Sequence, residues 1–97
     1  MFQSITMVDF KKLLSDKSQK FLMIDVRTKE EWNNKHINDT RVINIELNTL
    51  LKDISKIPTD IPVYLVCESS QRSGYAQMML FTKGIKTINI KGGMSNY

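Results

Sequence analysis

Cysteine and histidine are nearly absent: Cys67 and His36 are the sole representatives in 97 residues. A disulfide within the chain is therefore impossible, and so is a zinc site built on clustered cysteines. With a single histidine, no metal is expected. Long apolar runs are missing as well. The longest, at 21–24 and 63–67, are far too short to span a bilayer. The segment from Met1 to Asp9 has no basic stretch leading into an apolar one, so no signal peptide is expected. A reduced, cytoplasmic setting follows, with no membrane partner. Charge of one sign never gathers in a block. The 14 lysines and arginines exceed the 10 acidic residues to leave +4, but they are scattered from Lys11 to Lys91, so no nucleic-acid partner is expected. What is present is ordinary for a globular chain, with 41% hydrophobic and 25% charged residues. The length leaves room for one core, so residues 1–97 are expected to form a single domain.

Short apolar runs alternate with helical patterns, which is the mark of an α/β fold with a parallel sheet. A strand is expected to end near Ile5, with Thr6 capping a helix whose buried stripe is Phe10, Leu13 and Leu14. Phe21 to Ile24 reads as a central strand covered on both faces. Thr28 and Glu31 form a capping box that opens a short helix carrying Trp32. A third strand is expected over 41–45, and a third helix over 47–54 with Leu47, Leu50, Leu51 and Ile54 on one side. Pro58 and Pro62 bracket a turn region that no helix crosses. The second central strand is Val63 to Val66, followed by a helix over about 70–83 with Ala76, Met79 and Leu80 inward. Thr87 to Ile90 is the last strand and Gly92-Gly93 a tight turn. The fold class is thus α/β, five strands in a mostly parallel sheet with helices on both faces.

Ligands bind such sheets beyond the carboxyl ends of the strands, where both Asp25 and Cys67 lie. The segment Cys67-Glu68-Ser69-Ser70-Gln71-Arg72-Ser73-Gly74 joins a buried strand to a helix. Backbone N–H groups of such a loop and of a helix start lack intrahelical partners and are free to face an anion. Arg72 lies five residues on and can fold back toward the same point. Both features favour a thiolate, the nucleophilic form; the neighbouring Glu68 works against it. The loop is thereby suited to hold a sulfur anion or a persulfide. The plain alternative is a cysteine that serves as a small buried hydrophobe.

Three motifs, in matching order, resemble those of rhodanese-like sulfurtransferases: Asp25-Val26-Arg27-Thr28 with Glu31-Trp32 and His36-Ile37; Cys67 with Arg72 and Ser73; and Gly92-Gly93-Met94 with Tyr97. The resemblance implies a domain that moves sulfane sulfur from thiosulfate or a persulfide to cyanide or a thiol. It does so by double displacement through a cysteine persulfide. Cys67 is then the sulfur carrier and Arg72 anchors the loop and adds positive potential. The backbone amides from Glu68 to Ser73, those of Ser69, Ser70 and Gln71 among them, then cradle the persulfide. Partners are a small-molecule sulfur donor and a thiol acceptor, which can be a protein thiol; no cofactor is implied. Related phosphatases place the arginine one residue further along, so the shorter loop disfavours a phosphatase or an arsenate reductase. The other rival is a non-catalytic or regulatory module, or a dedicated persulfide carrier. Family loops often carry glycine at the position of Ser70, and many thiosulfate users carry a basic residue at that of Glu68.

Asp25 and Arg27 are expected to support the site from outside it, Asp25 by accepting loop hydrogen bonds and Arg27 by pairing with Glu31. His36 reads as a hydrogen-bonding turn residue, Trp32 as a packing anchor, and Met78 and Met79 as core filler.

Overall fold

The structure, a computed structural model, describes residues 2–97. Thr6 accepts a hydrogen bond from the Asp9 amide at 3.1 Å, closing the edge strand β1 (Gln3–Thr6) and opening α1 (Met7–Ser15). The chain continues through β2 (Leu22–Asp25), α2 (Lys29–Asn34), β3 (Val42–Asn44), β4 (Val63–Val66), α3 (Gln71–Thr82) and β5 (Ile88–Lys91). Both halves of the expected capping box form at the start of α2, between Thr28 and Glu31. Strand order is β1-β5-β4-β2-β3, and every pairing is parallel.

Alternation along the central strands sorts the core into two layers. Met23, Tyr64 and Val66 face α1, where Phe10, Phe21 and Tyr64 pack edge to face. Ile24, Leu65 and Cys67 face the opposite way, against Ala76 and Leu80 of α3 and Leu50. Cys67 is therefore in the α3 layer because of its register in β4.

The chain leaves β2 toward β3 on one side of the sheet and leaves β4 toward β5 on the other. The carboxyl ends of β2 and β4 are neighbours, with Asp25 paired to Val66. This is the reversal point where open parallel sheets leave a crevice.

The helix expected over 47–54 is a 3₁₀ helix, Leu47–Lys56, with a break at Asp53 (φ −103°, ψ 18°). Leu50 is its buried residue. A three-residue turn aligns Leu47 with Leu50, so one narrow contact suffices where an α-helix would need a wider stripe. In α3, Gln77 rather than Met79 turns inward: its amide donates to Gln3 O at 2.8 Å and Thr87 O at 2.9 Å. Met79 is half-buried and Met78 is exposed, which corrects their reading as core filler. Trp32 packs against the α1 layer and stacks on His36 at 3.9 Å. His36 Nδ1 lies 2.7 Å from Trp32 O, to which it donates, so His36 is a turn residue as expected. Among the described residues no helix is long and apolar enough to cross a membrane.

Candidate active site

Cys67 directly follows β4 and is fully buried. Apolar side chains of the α3 layer lie on one side of it. On the other side three donors converge on Sγ: the Ser70 amide at 3.1 Å, the Ser73 amide at 3.3 Å and the Ser73 hydroxyl at 3.3 Å. The loop reaches this arrangement by placing Ser70 in the left-handed region (φ 80°), which turns its N–H inward. That is the position where positive φ favours glycine. α3 then starts with its free amides toward the sulfur, as its N-terminal polarity requires.

At Sγ itself the donors come from two residues of the loop. Ser70 contributes its amide and Ser73 both its amide and its hydroxyl. Among the described residues, Glu68, Ser69 and Gln71 make no hydrogen bond to Sγ, and their side chains lie on the outer, exposed side.

Arg72 does not reach Sγ. Its guanidinium grips the Glu31 carboxylate in a two-pronged pair at 2.7 and 2.9 Å. The Arg72 bonds, helped by the Thr28 cap, hold Glu31 down to about 2 against burial, and the same pair raises Arg72. Arg72 therefore ties the start of α3 to α2, and a carboxylate offsets the positive potential assigned to it. Glu31 is taken by Arg72, so the expected Arg27–Glu31 pair gives way to another.

Arg27 pairs with Asp25. Arg27 Nε lies 3.0 and 3.1 Å from the two Asp25 oxygens, Nη2 lies 2.8 Å from Oδ2, and the Arg27 amide donates to Oδ1 at 3.0 Å. Both residues are buried. Asp39 and Arg41 repeat this ring at the other end of the sheet, where Arg41 ties down the carbonyls of Leu14, Asp16 and Gln19. The same device away from the cysteine marks the Asp25–Arg27 ring as a scaffold. The free edge of Arg27 faces Glu68, with Nη1 3.7 Å from Oε1.

Two contributors escaped the sequence reading, and a third belongs to the Gly92-Gly93-Met94 motif already singled out there. Asn44 Nδ2 bridges the carbonyls of Asp25 and Arg27 at 2.9 and 3.0 Å. Asn89 meets Ser73 and Ser70. Each is a polar residue inside a short strand, which was the available signal. The third is the docking of the C-terminal 3₁₀ turn, Gly93–Asn96, onto the cysteine loop: Met94 N donates to Cys67 O at 2.7 Å and Ser95 N to Glu68 O at 2.9 Å. A Cβ on Gly93 would sit 2.4 Å from Cys67 O, so glycine is required for that approach.

A surface cavity of about 610 Å³ opens beside the loop, lined by Arg72, Val26, Leu47, Leu51, Tyr75 and Met79 among others. Cys67 is not part of its wall.

Fold and site together define a small parallel α/β domain built to hold one cysteine sulfur at a strand-to-helix loop. The chain belongs to the rhodanese-like domain family, which it matches over residues 6–97. It is 41% identical over 80 residues to the uncharacterized protein YqhL of Bacillus subtilis (strain 168), covering 81% of this chain and 62% of that one. The structure resembles a rhodanese-like domain protein from Staphylococcus aureus with a TM-score of 0.88, 29% identity, and coverage of 97% of this chain and 89% of the other. It also resembles part of an NAD-dependent persulfide reductase from A. fulgidus, with a TM-score of 0.81 and 28% identity over 99% of this chain and 16% of that one.

Proposed function

We propose that this chain is a sulfurtransferase that carries sulfane sulfur on Cys67. The observation that carries this reading is the convergence of the Ser70 and Ser73 amides on a single sulfur, with the Ser73 hydroxyl within reach of it. A hydrophobe needs no donors; a thiolate or persulfide anion does. In the first step Cys67 thiolate attacks the outer sulfur of the donor. The bond from that sulfur to the rest of the donor breaks, and sulfite leaves from thiosulfate or a thiolate from an organic persulfide. In the second step a thiol acceptor, as its thiolate, or cyanide attacks the outer sulfur, and Cys67 leaves as a thiolate. No electrons are gained or lost overall, and no cofactor is needed. A reducing compartment such as the cytoplasm suits this cycle, because it keeps Cys67 free between turnovers.

The surrounding charges favour a persulfide donor over thiosulfate. Asp25 and Arg27 neutralise each other, and so do Glu31 and Arg72. Glu68, about half exposed, shares Arg27 with Asp25, so this group keeps one net negative charge at the loop. The donor can be a protein persulfide and the acceptor a protein thiol, given that turn residues Glu68 and Ser69 are exposed. Since Cys67 is fully buried, that turn has to yield for a donor sulfur to enter.

Intact-mass measurement after treatment with a persulfide donor tests the reading. The native chain should gain one sulfur atom, lost again with reductant, and Cys67→Ser should gain none. Turnover of aryl phosphate without any sulfur uptake would overturn it.

A further inference from the structure

The Ser73 hydroxyl has one proton and two neighbours competing for it. One is Cys67 Sγ at 3.3 Å; the other is Asn89 Oδ1, on the adjacent strand and also within hydrogen-bond reach. Ser73 is fully buried, so water does not supply a third choice. The orientation of the Asn89 amide is set independently. Its Nδ2 donates to Ser70 O at 3.3 Å, which leaves Oδ1 toward Ser73; a flipped amide would press oxygen against oxygen. Register puts Asn89 next to Leu65, on the same α3 face of the sheet as Cys67.

We propose that Asn89 is a positioning residue for the sulfur: it competes with Sγ for the single Ser73 proton. When Sγ is a thiol, S–H donates to Ser73 Oγ and Ser73 donates to Asn89. When Sγ is an anion, the Ser73 hydroxyl rotates and donates to the sulfur, and Asn89 loses its donor. Asn89 thereby favours the resting thiol, while Ser73 favours the charged carrier. The charged groups around the sulfur are Glu68 on the loop, Arg72 on α3 with Glu31 of α2, and Asp25 with Arg27 beyond β2. Asn89 adds no charge to them, so its effect runs through the hydroxyl.

Cys67 is the only cysteine, so ultraviolet thiolate absorbance reads it alone. At a fixed pH where the native chain is mostly thiol, Asn89→Leu should raise the thiolate fraction about two- to tenfold, the range of one competing hydrogen bond. Asn89→Asp, a stronger acceptor, should lower it. Both variants lose the Nδ2 bond to Ser70, so damage to the loop moves them the same way and overturns the proposal. In a Ser73→Ala background Asn89→Leu should change nothing, and an undiminished shift there overturns it as well. Should Asn89→Leu fail to fold by circular dichroism, Asn89→Asp decides alone: its decrease must shrink in the Ser73→Ala background, and an equal decrease means a through-space charge and overturns the proposal. The inference takes Cys67 as the reactive group of the proposed function, but its readout is protonation. Shifts of the expected sign in a chain that takes up no sulfur would support Asn89 and overturn the transferase reading only.

Discussion

Glu68 stands directly beside Cys67 and differs in sign from what an anionic donor would favour. Its carboxylate turns toward Arg27, whose charge Asp25 already balances, so the loop stays net negative on its outer side. Glu68→Lys should raise kcat/KM for thiosulfate by at most about tenfold, since a charge at ~5–7 Å in partly screened solvent is worth on the order of 1 kcal/mol. A steady-state thiosulfate–cyanide assay checks this, and no gain would refute the charge argument. Cys67, and Arg72 as its neighbour in the loop, were legible from strand-end position and spacing. The partner of Arg72 was not. Glu31 lies 41 residues away, and nothing local distinguishes it from other capping-box glutamates.

At the scale of elements, two backbone conformations shape the loop. Ser70 holds φ 80° without a side-chain capping bond. A non-glycine residue there costs ~1–2 kcal/mol, partly offset by the greater freedom of glycine when unfolded. Ser70→Gly should therefore stabilise the chain by about 0.5–1 kcal/mol in urea unfolding, with sulfur uptake retained. Gly93 is the opposite case. Its φ of +60° and its contact with the Cys67 and Glu68 carbonyls leave no space for a methyl group. Gly93→Ala should cost about 2–4 kcal/mol and lower the rate of sulfur uptake, because the loop must shift away from the terminal 3₁₀ turn. Unchanged unfolding and uptake would show that this docking is dispensable. Strands and the caps of α1 and α2 were readable because they rest on local alternation and on residues three apart. The 47–56 segment was readable as a helix but not as a 3₁₀ one, because Leu50 needs only a narrow contact.

Across the whole molecule, α1 covers one face of the sheet and α3 the other, with α2 on the α1 side through Trp32. Glu31 and Arg72 join α2 to α3 over the carboxyl edge of the sheet. Glu31 is lowered to about 2 from an ordinary 4.5, so its contribution is complete above 4.5 and is lost as pH falls toward 2. The pair is about one-third exposed, so solvent screening leaves on the order of 1 kcal/mol. The stability gap between the native chain and Glu31→Gln, read from urea midpoints, should narrow over that interval. A gap independent of pH would show that the bridge contributes nothing through charge.

The order of apolar runs, the caps and the placing of a lone thiol after a buried strand belong to the chain itself, because each depends on residues within one or two turns of one another. Which amides face the sulfur, which carboxylate neutralises Arg72, and how Asn89 and Gly93 close around the loop depend on strand order. Parallel pairing brings together segments far apart in the chain, and local preference carries no record of those distances.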